Sequence, residues 1–275
     1  MSGRAWTTVR VKAPEDRIAV AAALFELGVE AIQELDDDLV THVDDADGAR
    51  VTDALRRLDP GVILECSPTP DVDWSSQWKS RITAHRLGRL VVTPPWSATD
   101  YATSERIVID PGMAFGTGEH ETTRGVLRLM QRVIRSGDVV ADVGSGSAVL
   151  SIAAALLGAR RVVAIEIDPD AIGNAEENIR ANNVAERVSV IEGDAFAVLP
   201  LVAPVRVVLA NLVSSLLIEL LPVIRESLAK DGTAILSGIL AEERLDMERS
   251  IASAGWRVIE SDAEGAWWSV TIAAA

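Results

Sequence analysis

Residues 139–150 read VVADVGSGSAVL, a valine-rich run followed by a turn with two glycines and then by an apolar stretch with helical spacing. Asp142 ends the predicted strand, Gly144 and Gly146 occupy the turn, and a helix begins near Ser147. Glycine permits positive φ and lets a ligand approach the main chain closely. The free amides at a helix start favour an anionic or carbonyl-bearing group. The stretch therefore predicts a ligand-binding turn between a strand and a helix.

The next predicted strand ends in Glu166, 22 residues beyond Gly144. An acid at this place can accept hydrogen bonds from both hydroxyls of a ribose, so an adenosine-containing ligand is predicted. The pattern Asp-x-Gly-x-Gly is closer to the methyltransferase form of this turn than to the dinucleotide pattern GxGxxG. Asp142 would repel a pyrophosphate but could hold the ammonium group of a methionine, directly or through water. S-adenosyl-L-methionine is therefore the favoured ligand, and NAD is the alternative.

Two further polar residues end predicted strands. Asp194 follows the third strand, where it could accept a hydrogen bond from an adenine amino group or, alternatively, cap the following helix. Asn211 ends the fourth strand and would face the crevice through which a methyl group travels. The alternative for Asn211 is a loop residue that satisfies its own backbone.

Strand-like and helical segments alternate from residue 105 onward, which predicts a doubly wound α/β domain with a parallel sheet. Two terminal strands joined by a turn predict a reversed final strand at the edge of that sheet. The predicted strands read DVVADVG, RVVAIEID, RVSVIEGD, VRVVLANL and GTAILSG, and the main helices read SAVLSIAAALLGA, PDAIGNAEENIRANN and SSLLIELLPVIRESLAK.

The first 70 residues show the order βαββαβ, which predicts a small α+β domain with a ferredoxin-like fold. Residues 1–73 carry 16 acidic and 7 basic side chains, a net charge of −9 out of −15 for the whole chain. This shift in charge places a domain boundary near residue 70. We therefore expect a ferredoxin-like domain at 1–70, a linker and bridging segment at 71–104, and the larger domain at 105–275.

The composition excludes several classes of protein. A strongly acidic chain does not suit direct nucleic-acid binding, but it is compatible with a basic protein partner. The single cysteine, Cys66, allows no internal disulfide, and no zinc-binding spacing of Cys and His is present, so no metal is expected. No signal peptide is visible and the apolar runs are too short to span a bilayer. A cytoplasmic protein without a membrane partner is expected.

Residues 110–124 read DPGMAFGTGEHETTR, a flexible loop that leads into a helix. This loop resembles the signature of the bacterial ribosomal protein L11 methyltransferases. The segments DWSSQWK, VVTPPW, DVGSGS, IEIDPDA, ANL and LSGIL occur in that family's order, so the resemblance covers most of the chain. It implies a seven-stranded Rossmann-like methyltransferase domain behind a domain that recognises the protein substrate, and a monomer.

The resemblance also implies an activity and a set of site residues. The activity is S-adenosylmethionine-dependent methylation of ribosomal protein L11 at its N-terminal amine and lysine side chains. The cofactor contacts carried over are Thr123, Gly144, Glu166 and Asn211, and Asn211 is also the expected catalytic residue. Residues Gly116, Thr117 and Gly118 would fold over the methionine end of the cofactor.

Two loop side chains keep alternative interpretations. Phe115 could line the cofactor pocket or anchor the loop in the core. His120 is the only histidine near the predicted site and a candidate general base, but a loop histidine more often orders its neighbours.

The sequence departs at two positions from the family that it resembles. Ala148 stands where members of that family usually have glycine, and Glu166 replaces the commoner aspartate, so cofactor affinity or substrate could differ. Asn211-Leu212 is not the Asn-Pro-Pro-Tyr motif of enzymes that methylate planar amide or adenine nitrogens, which favours an aliphatic amine. Alternative functions are methylation of another basic protein or a small molecule, a cofactor-binding regulatory module without catalysis, and an NAD-dependent dehydrogenase.

Overall fold

The computed structural model describes residues 6–12, 14, 16–29, 32–35, 37–68, 82–110 and 118–275. It divides the chain into two compact units, Met1–Arg81 and Ile82–Ala275. The domain boundaries that the sequence analysis draws at residues 70 and 104 stay predictions. Within the described residues, no helix is both long enough and apolar enough to cross a lipid bilayer.

The first unit has the predicted ferredoxin-like order. Its strands form one antiparallel sheet in the order β2-β3-β1-β4, because the hairpin partner β3 and the last strand pair with opposite edges of β1. Apolar side chains such as Val9, Leu24 and Val51 are buried between the sheet and the helices. The elements are β1 (Trp6–Lys12), α1 (Arg17–Glu26), β2 (Gln33–Leu35), β3 (Asp38–Asp44), α2 (Asp45–Leu58) and β4 (Ile63–Pro68).

The second unit begins with a small sheet and continues as an α/β domain. The small sheet has β5 (His85–Leu87), β6 (Leu90–Thr93) and β7 (Arg106–Val108), with a 3₁₀ segment at Pro95–Asp100. The larger part comprises α3 (Glu121–Val133), β8 (Val139–Val143), α4 (Val149–Leu156), β9 (Arg161–Glu166), α5 (Pro169–Ala181), β10 (Val188–Glu192), α6 (Ala195–Val202), β11 (Val205–Asn211), α7 (Ser214–Ser227), β12 (Leu228–Leu240), α8 (Arg244–Ser253), β13 (Trp256–Glu264) and β14 (Trp267–Ala274).

The large sheet has seven strands in the order β10-β9-β8-β11-β12-β14-β13. The five strands from β10 to β12 run parallel, whereas β14 is antiparallel to both of its neighbours, which confirms the predicted reversal of the final strand. The predicted edge position is wrong, because β13 is the edge strand and β14 lies between β12 and β13. Strands β9 and β10 extend the sheet on one side of β8, and the strands from β11 onward extend it on the other side. Ligands of open α/β sheets bind where the order reverses, at the carboxyl ends of the strands. This edge carries Asp142 and Asn211.

Two apolar clusters cover the two faces of this sheet. One packs α3, α4 and α5 against the sheet, and the other packs α6, α7 and α8 against the opposite face. Strands buried on both faces have nearly continuous apolar sequences rather than alternating ones, as VVADV and VRVVLA do, each with one charged residue. The two covered faces leave the carboxyl edge of the sheet as the place for a ligand.

Salt bridges hold helix α3 on the outer strand β13. Arg124 pairs with Glu264, Arg128 with Asp262 and Glu264, and Arg132 with Glu260. Four helical residues rise about 6 Å and two strand residues rise about 7 Å. Arginines spaced four residues apart on the helix therefore lie opposite acidic residues spaced two apart on the strand. Hydrogen bonding from Arg124 lowers the pKa of Glu264. This contact fixes the helix whose first turn borders the candidate site.

Candidate active site

The two glycines of the turn have the positive φ that the sequence analysis expects. Gly144 has a φ of 69° and Gly146 a φ of 50°. The amides of Gly144 and Ser145 donate to the carbonyl of Ile165, at 2.9 and 3.1 Å, which ties the turn to strand β9. A Cβ atom on Gly144 would lie 2.5 Å from Cδ2 of Leu212. Gly144 is therefore favoured by its conformation, and a Cβ atom there would also displace the Leu212 side chain.

Ala148 has a left-handed backbone with a φ of 63° and ψ of 19° directly before α4. This conformation costs a residue with a Cβ atom roughly 1–2 kcal/mol. Its methyl group is completely buried, and burial of one such carbon is worth about 0.8 kcal/mol. The buried methyl therefore offsets much of the backbone strain.

We expect Ala148→Gly to change the free energy of unfolding by less than about 1 kcal/mol, because relief of strain and loss of the methyl group oppose each other. Urea unfolding followed by circular dichroism measures this change. A loss above about 2 kcal/mol would contradict the balance and show that the methyl group is needed for packing.

Asp142 is buried beneath the turn with only 1% of its surface exposed. Its Oδ2 accepts a hydrogen bond from Oγ of Ser151 at 2.7 Å. Its Oδ1 has no hydrogen-bond partner among the residues that the structure describes. Burial raises the pKa of this carboxyl group to about 6, and the hydrogen bonds at Ser151 oppose the increase.

Glu166 makes contacts that the sequence analysis does not predict. Its Oε2 accepts a hydrogen bond from the amide of Gly146 at 2.8 Å. Its Oε1 accepts from the amides of Ile167 and Asp168, at 2.9 and 3.0 Å. A carboxylate offers about four lone-pair sites, so these three bonds leave room for about one hydroxyl. The predicted contact to both ribose hydroxyls is therefore more restricted than sequence position suggests.

An apolar cavity of about 260 Å³ lies beside the turn. Asp194 stands at this cavity and its Oδ1 accepts a hydrogen bond from the amide of Phe196 at 2.9 Å, so Asp194 is the cap of α6. The capping alternative of the sequence analysis is thus observed, and the contact to an adenine amino group stays a prediction. The lining residues are Val143, Gly144, Ile165, Ile167, Gly193, Asp194, Ala195, Phe196, Leu212, Leu216 and Leu220.

Ile167 and Phe196 are two cavity residues that sequence reasoning missed. They remain 68% and 36% exposed although they are large and apolar. A flat aromatic ligand between them would cover this surface. The available signal was their position, since each lies within two residues of a predicted ligand acid.

Asn211, the residue before the cavity residue Leu212, contacts the first turn of α3. Its Nδ2 donates to Oγ1 of Thr122 at 3.1 Å. The Thr122 hydroxyl lies 2.8 Å from Nδ1 of His120, and the Thr122 amide also donates to this nitrogen at 3.3 Å. Nδ1 of His120 therefore accepts hydrogen bonds and caps α3, and the ring packs edge-on against Trp267. These contacts favour an ordering role for His120 over that of a base.

The segment that follows Asn211 is held by three neighbours. The amide of Leu212 donates to the carbonyl of Ser237 at 3.0 Å. A Cβ atom on Gly238 would lie 2.2 Å from the carbonyl oxygen of Leu212, so only glycine permits this approach. Ser214 Oγ donates to Glu243 at 2.6 Å. The backbone around Asn211 is therefore fixed from outside the crevice.

The predicted loop contacts are described only in part. Phe115, Gly116 and Thr117 lie outside the described residues and stay predictions. Gly118 has a φ of 85°, and a Cβ atom there would lie 2.5 Å from Cγ1 of Val92. Thr123 is buried within α3, and the residue that hydrogen-bonds Asn211 is its neighbour Thr122. The contact of Thr123 to a cofactor also stays a prediction.

The geometry fits an adenosyl sulfonium in three places. The apolar cavity beside Asp194 suits an adenine ring, Glu166 keeps acceptor capacity for a ribose hydroxyl, and the buried Oδ1 of Asp142 suits a cationic group. Among the described residues, no group of His, Cys, Asp and Glu side chains could hold a metal ion.

A seven-stranded sheet of this order, with this turn and acid at its switch point, defines a class I S-adenosylmethionine-dependent methyltransferase. The family model described as Ribosomal protein L11 methyltransferase (PrmA) matches residues 9–274. The chain therefore belongs to the ribosomal protein L11 methyltransferase family.

Individual relatives agree with this assignment. The chain is 41% identical over 219 residues to the ribosomal protein L11 methyltransferase of Pelotomaculum thermopropionicum, covering 78% of this chain and 70% of that protein. It is 41% identical over 197 residues to the one of Thermus thermophilus, covering 72% and 76%. The crystal structure of ribosomal protein L11 methylase from Lactobacillus delbrueckii subsp. bulgaricus superimposes with a TM-score of 0.63 at 30% identity, covering 70% of this chain and 99% of that chain.

Proposed function

We propose that this protein transfers methyl groups from S-adenosylmethionine to amine nitrogens of ribosomal protein L11, at its N-terminal amine and lysine side chains. The observation that carries the proposal is the meeting of the glycine turn, Glu166 and Asn211 at one edge of the sheet, in a chain of this family. Lysine and N-terminal specificity rests on the resemblance of the loop at 110–124.

Different residues would hold the adenine, the ribose and the methionine part of the cofactor. The cavity beside Ile167 and Phe196 would take the adenine, with Asp194 at its edge. Glu166 would accept a ribose hydroxyl, and Asp142 would hold the methionine ammonium directly or through water. The bound cofactor supplies an electrophilic methyl group on a positively charged sulfur.

The chain's own contribution to methyl transfer is alignment and exclusion of water. Transfer is an in-line displacement, so the attacking nitrogen must be held opposite the sulfur. Asn211 presents a side-chain amide whose orientation Thr122 fixes. A less polar site also avoids stabilising the charged ground state, since the sulfonium charge disperses during transfer. No aromatic side chain follows Asn211 in the sequence Asn-Leu-Val, so stacking on a planar substrate is not favoured.

The acceptor amine must lose its proton before it attacks. A lysine with an ordinary pKa near ~10.4 can release this proton to water before it docks. His120 serves as the cap of α3 in this structure, so the proposed mechanism contains no dedicated base.

The acidic first unit would receive the protein substrate. Residues 1–73, which lie within this unit, carry a net charge of −9 out of −15 for the whole chain, and this favours association with a basic protein. We further propose that the protein acts as a monomer in the cytoplasm, without direct nucleic-acid or membrane contact.

Mass spectrometry of ribosomal protein L11 incubated with this protein and S-adenosylmethionine tests the proposal. We expect mass increments in steps of one methylene group, and peptide mapping would assign them to the N-terminal amine and lysines. Cofactor binding without any increment would instead favour a regulatory module. Increments only on another basic protein or a small molecule would favour the alternative substrate class, and a nicotinamide absorbance change would favour a dehydrogenase.

A further inference from the structure

Helix α5 presents a row of asparagines to the protein interior. Asn174, Asn178 and the helix-capping Asn182 recur every four residues and so share one face of the helix. Asparagine is an unfavourable residue inside a helix, because its side chain competes for backbone hydrogen bonds. Asn178 is nonetheless only 2% exposed. A buried amide is costly unless its groups are paired, so this face must meet polar partners.

Asn178 connects two segments that are distant in sequence. Its Oδ1 accepts a hydrogen bond from the amide of Asp110 at 3.0 Å. Its Nδ2 donates to the carbonyl of Ser147 and to Oδ1 of Asn174, both at 3.1 Å. Both donor hydrogens are therefore used, and one side chain fixes the backbone after β7 to the glycine turn.

The bond to Ser147 restrains the strained part of that turn. The carbonyl of Ser147 and the amide of Ala148 belong to one planar peptide unit, so fixing the oxygen also orients the N–H group. That N–H group donates to the carbonyl of Ser145 at 2.8 Å. A non-glycine residue with left-handed backbone persists only where its surroundings hold it. Asn178 is the side chain that holds this peptide unit from the helix side.

Asn182 performs a different task on the same face. Its Oδ1 accepts from the amide of Val108 and its Nδ2 donates to the carbonyl of Val108, at 2.8 and 2.7 Å. The Asn182 side chain thus makes the two backbone hydrogen bonds that a neighbouring strand would make at the edge of β7. Its Nδ2 also donates to the backbone carbonyl of Asn178 at 2.8 Å, but among the described residues it makes no hydrogen bond to the glycine turn, so it provides a matched comparison for the Asn178 side chain.

We propose that Asn178 is a positioning residue for the cofactor: it holds the Ser147–Ala148 peptide unit and couples this unit to the backbone at Asp110. The proposal rests on the proposed function only in requiring that the glycine turn binds S-adenosylmethionine. It assigns Asn178 no contact with the cofactor itself.

Calorimetry with S-adenosylhomocysteine tests the proposal in three variants. Asn178→Ala should raise the dissociation constant about tenfold, a usual effect of releasing a supporting contact. Asn182→Ala removes a similar number of buried hydrogen bonds and should change it less than about threefold. In an Ala148→Gly background, where left-handed backbone is unstrained, Asn178→Ala should have a clearly smaller effect than in the parent.

A merely structural role would give a different pattern. Both asparagine variants would then lower the melting temperature and weaken binding alike, with no dependence on residue 148, and this result overturns the proposal. Wild-type protein that binds no S-adenosylhomocysteine overturns the proposed function and this inference together. Wild-type binding with an unchanged dissociation constant in Asn178→Ala overturns the inference alone.

Hydrogen exchange on the unaltered protein gives an independent answer if Asn178→Ala does not fold. Saturation with S-adenosylhomocysteine should slow exchange at the Asp110 amide together with the amides of residues 144–148, because Asn178 links them. Slowing within the turn with no change at Asp110 overturns the coupling.

Discussion

Replacement of Asn211 by alanine is expected to slow methyl transfer about a hundredfold while the fold stays intact. The side-chain amide sits at the carboxyl end of β11, in the crevice where the order of strands reverses. Loss of a single aligned polar group in such a site commonly costs about 10²-fold or more in rate. Only one hydrogen bond of the described structure, to Thr122, is lost with it, so unfolding should become easier by only about 1 kcal/mol.

Single-turnover kinetics at saturating cofactor measure this effect. Thr122→Val keeps Asn211 but removes the hydroxyl that orients it, so an intermediate decrease of roughly tenfold is expected. Ser250→Ala, which removes only a solvent-exposed hydrogen bond within α8, is the control and should leave the rate unchanged. Turnover of Asn211→Ala at the wild-type rate would remove this residue from the mechanism.

The architecture was largely predictable because its signals are local. The valine-rich strands, the glycine turn and Glu166 lie in an order that only a doubly wound sheet accommodates. Helix α6 was missed because it is short and contains Pro200, which normally interrupts a helix. Strands β5 and β6 were missed because they have three and four residues within a segment interpreted as a linker.

The site was less predictable because several of its contacts exist only in three dimensions. The hydrogen bond between Asn211 and Thr122 spans 89 residues, and no periodicity indicates it. Asn178 lies in a polar sequence typical of a surface helix, yet it is buried against Ser147. The side chain of Glu166 returns to the amide of Gly146, which depends on the exact path of the turn. Sequence position identified the acid but not its partners.

Asp142→Asn is expected to stabilise the protein and to weaken cofactor binding. The folded-state pKa of about 6 lies above the ordinary value of 3.8, which corresponds to about 3 kcal/mol. Because the pKa of Asp142 is raised, the contribution of this group to the free energy of unfolding is fully present below pH 3.8 and is lost as pH rises through 6. The ionised carboxylate therefore disfavours folding above pH 6. Asparagine removes this charge and can still accept the hydrogen bond from Ser151.

Asp138 provides a matched control near the start of the same strand. It is also buried, but it accepts hydrogen bonds from Nε of Arg206 at 3.0 Å and from the amide of Arg135 at 2.8 Å. Breaking a buried ion pair leaves the partner charge uncompensated and costs about 3 kcal/mol. Asp138→Asn should therefore destabilise the protein at pH 8, whereas Asp142→Asn should stabilise it by about 1–2 kcal/mol.

The two opposite effects of Asp142→Asn separate a ligand-binding role from a structural one. The Oδ1 atom of Asp142 is buried and has no hydrogen-bond partner among the described residues, so the ionised carboxylate lowers the free energy of unfolding. A carboxylate that served only folding would not be placed there. If the charge serves the methionine ammonium, the stabilised variant should bind S-adenosylhomocysteine at least about tenfold more weakly, since charged hydrogen bonds contribute about 1.5–3 kcal/mol. Urea unfolding between pH 4 and 8 and calorimetry at pH 8 measure the two effects. A less stable variant would refute the electrostatic argument, and unchanged affinity would separate Asp142 from the cofactor.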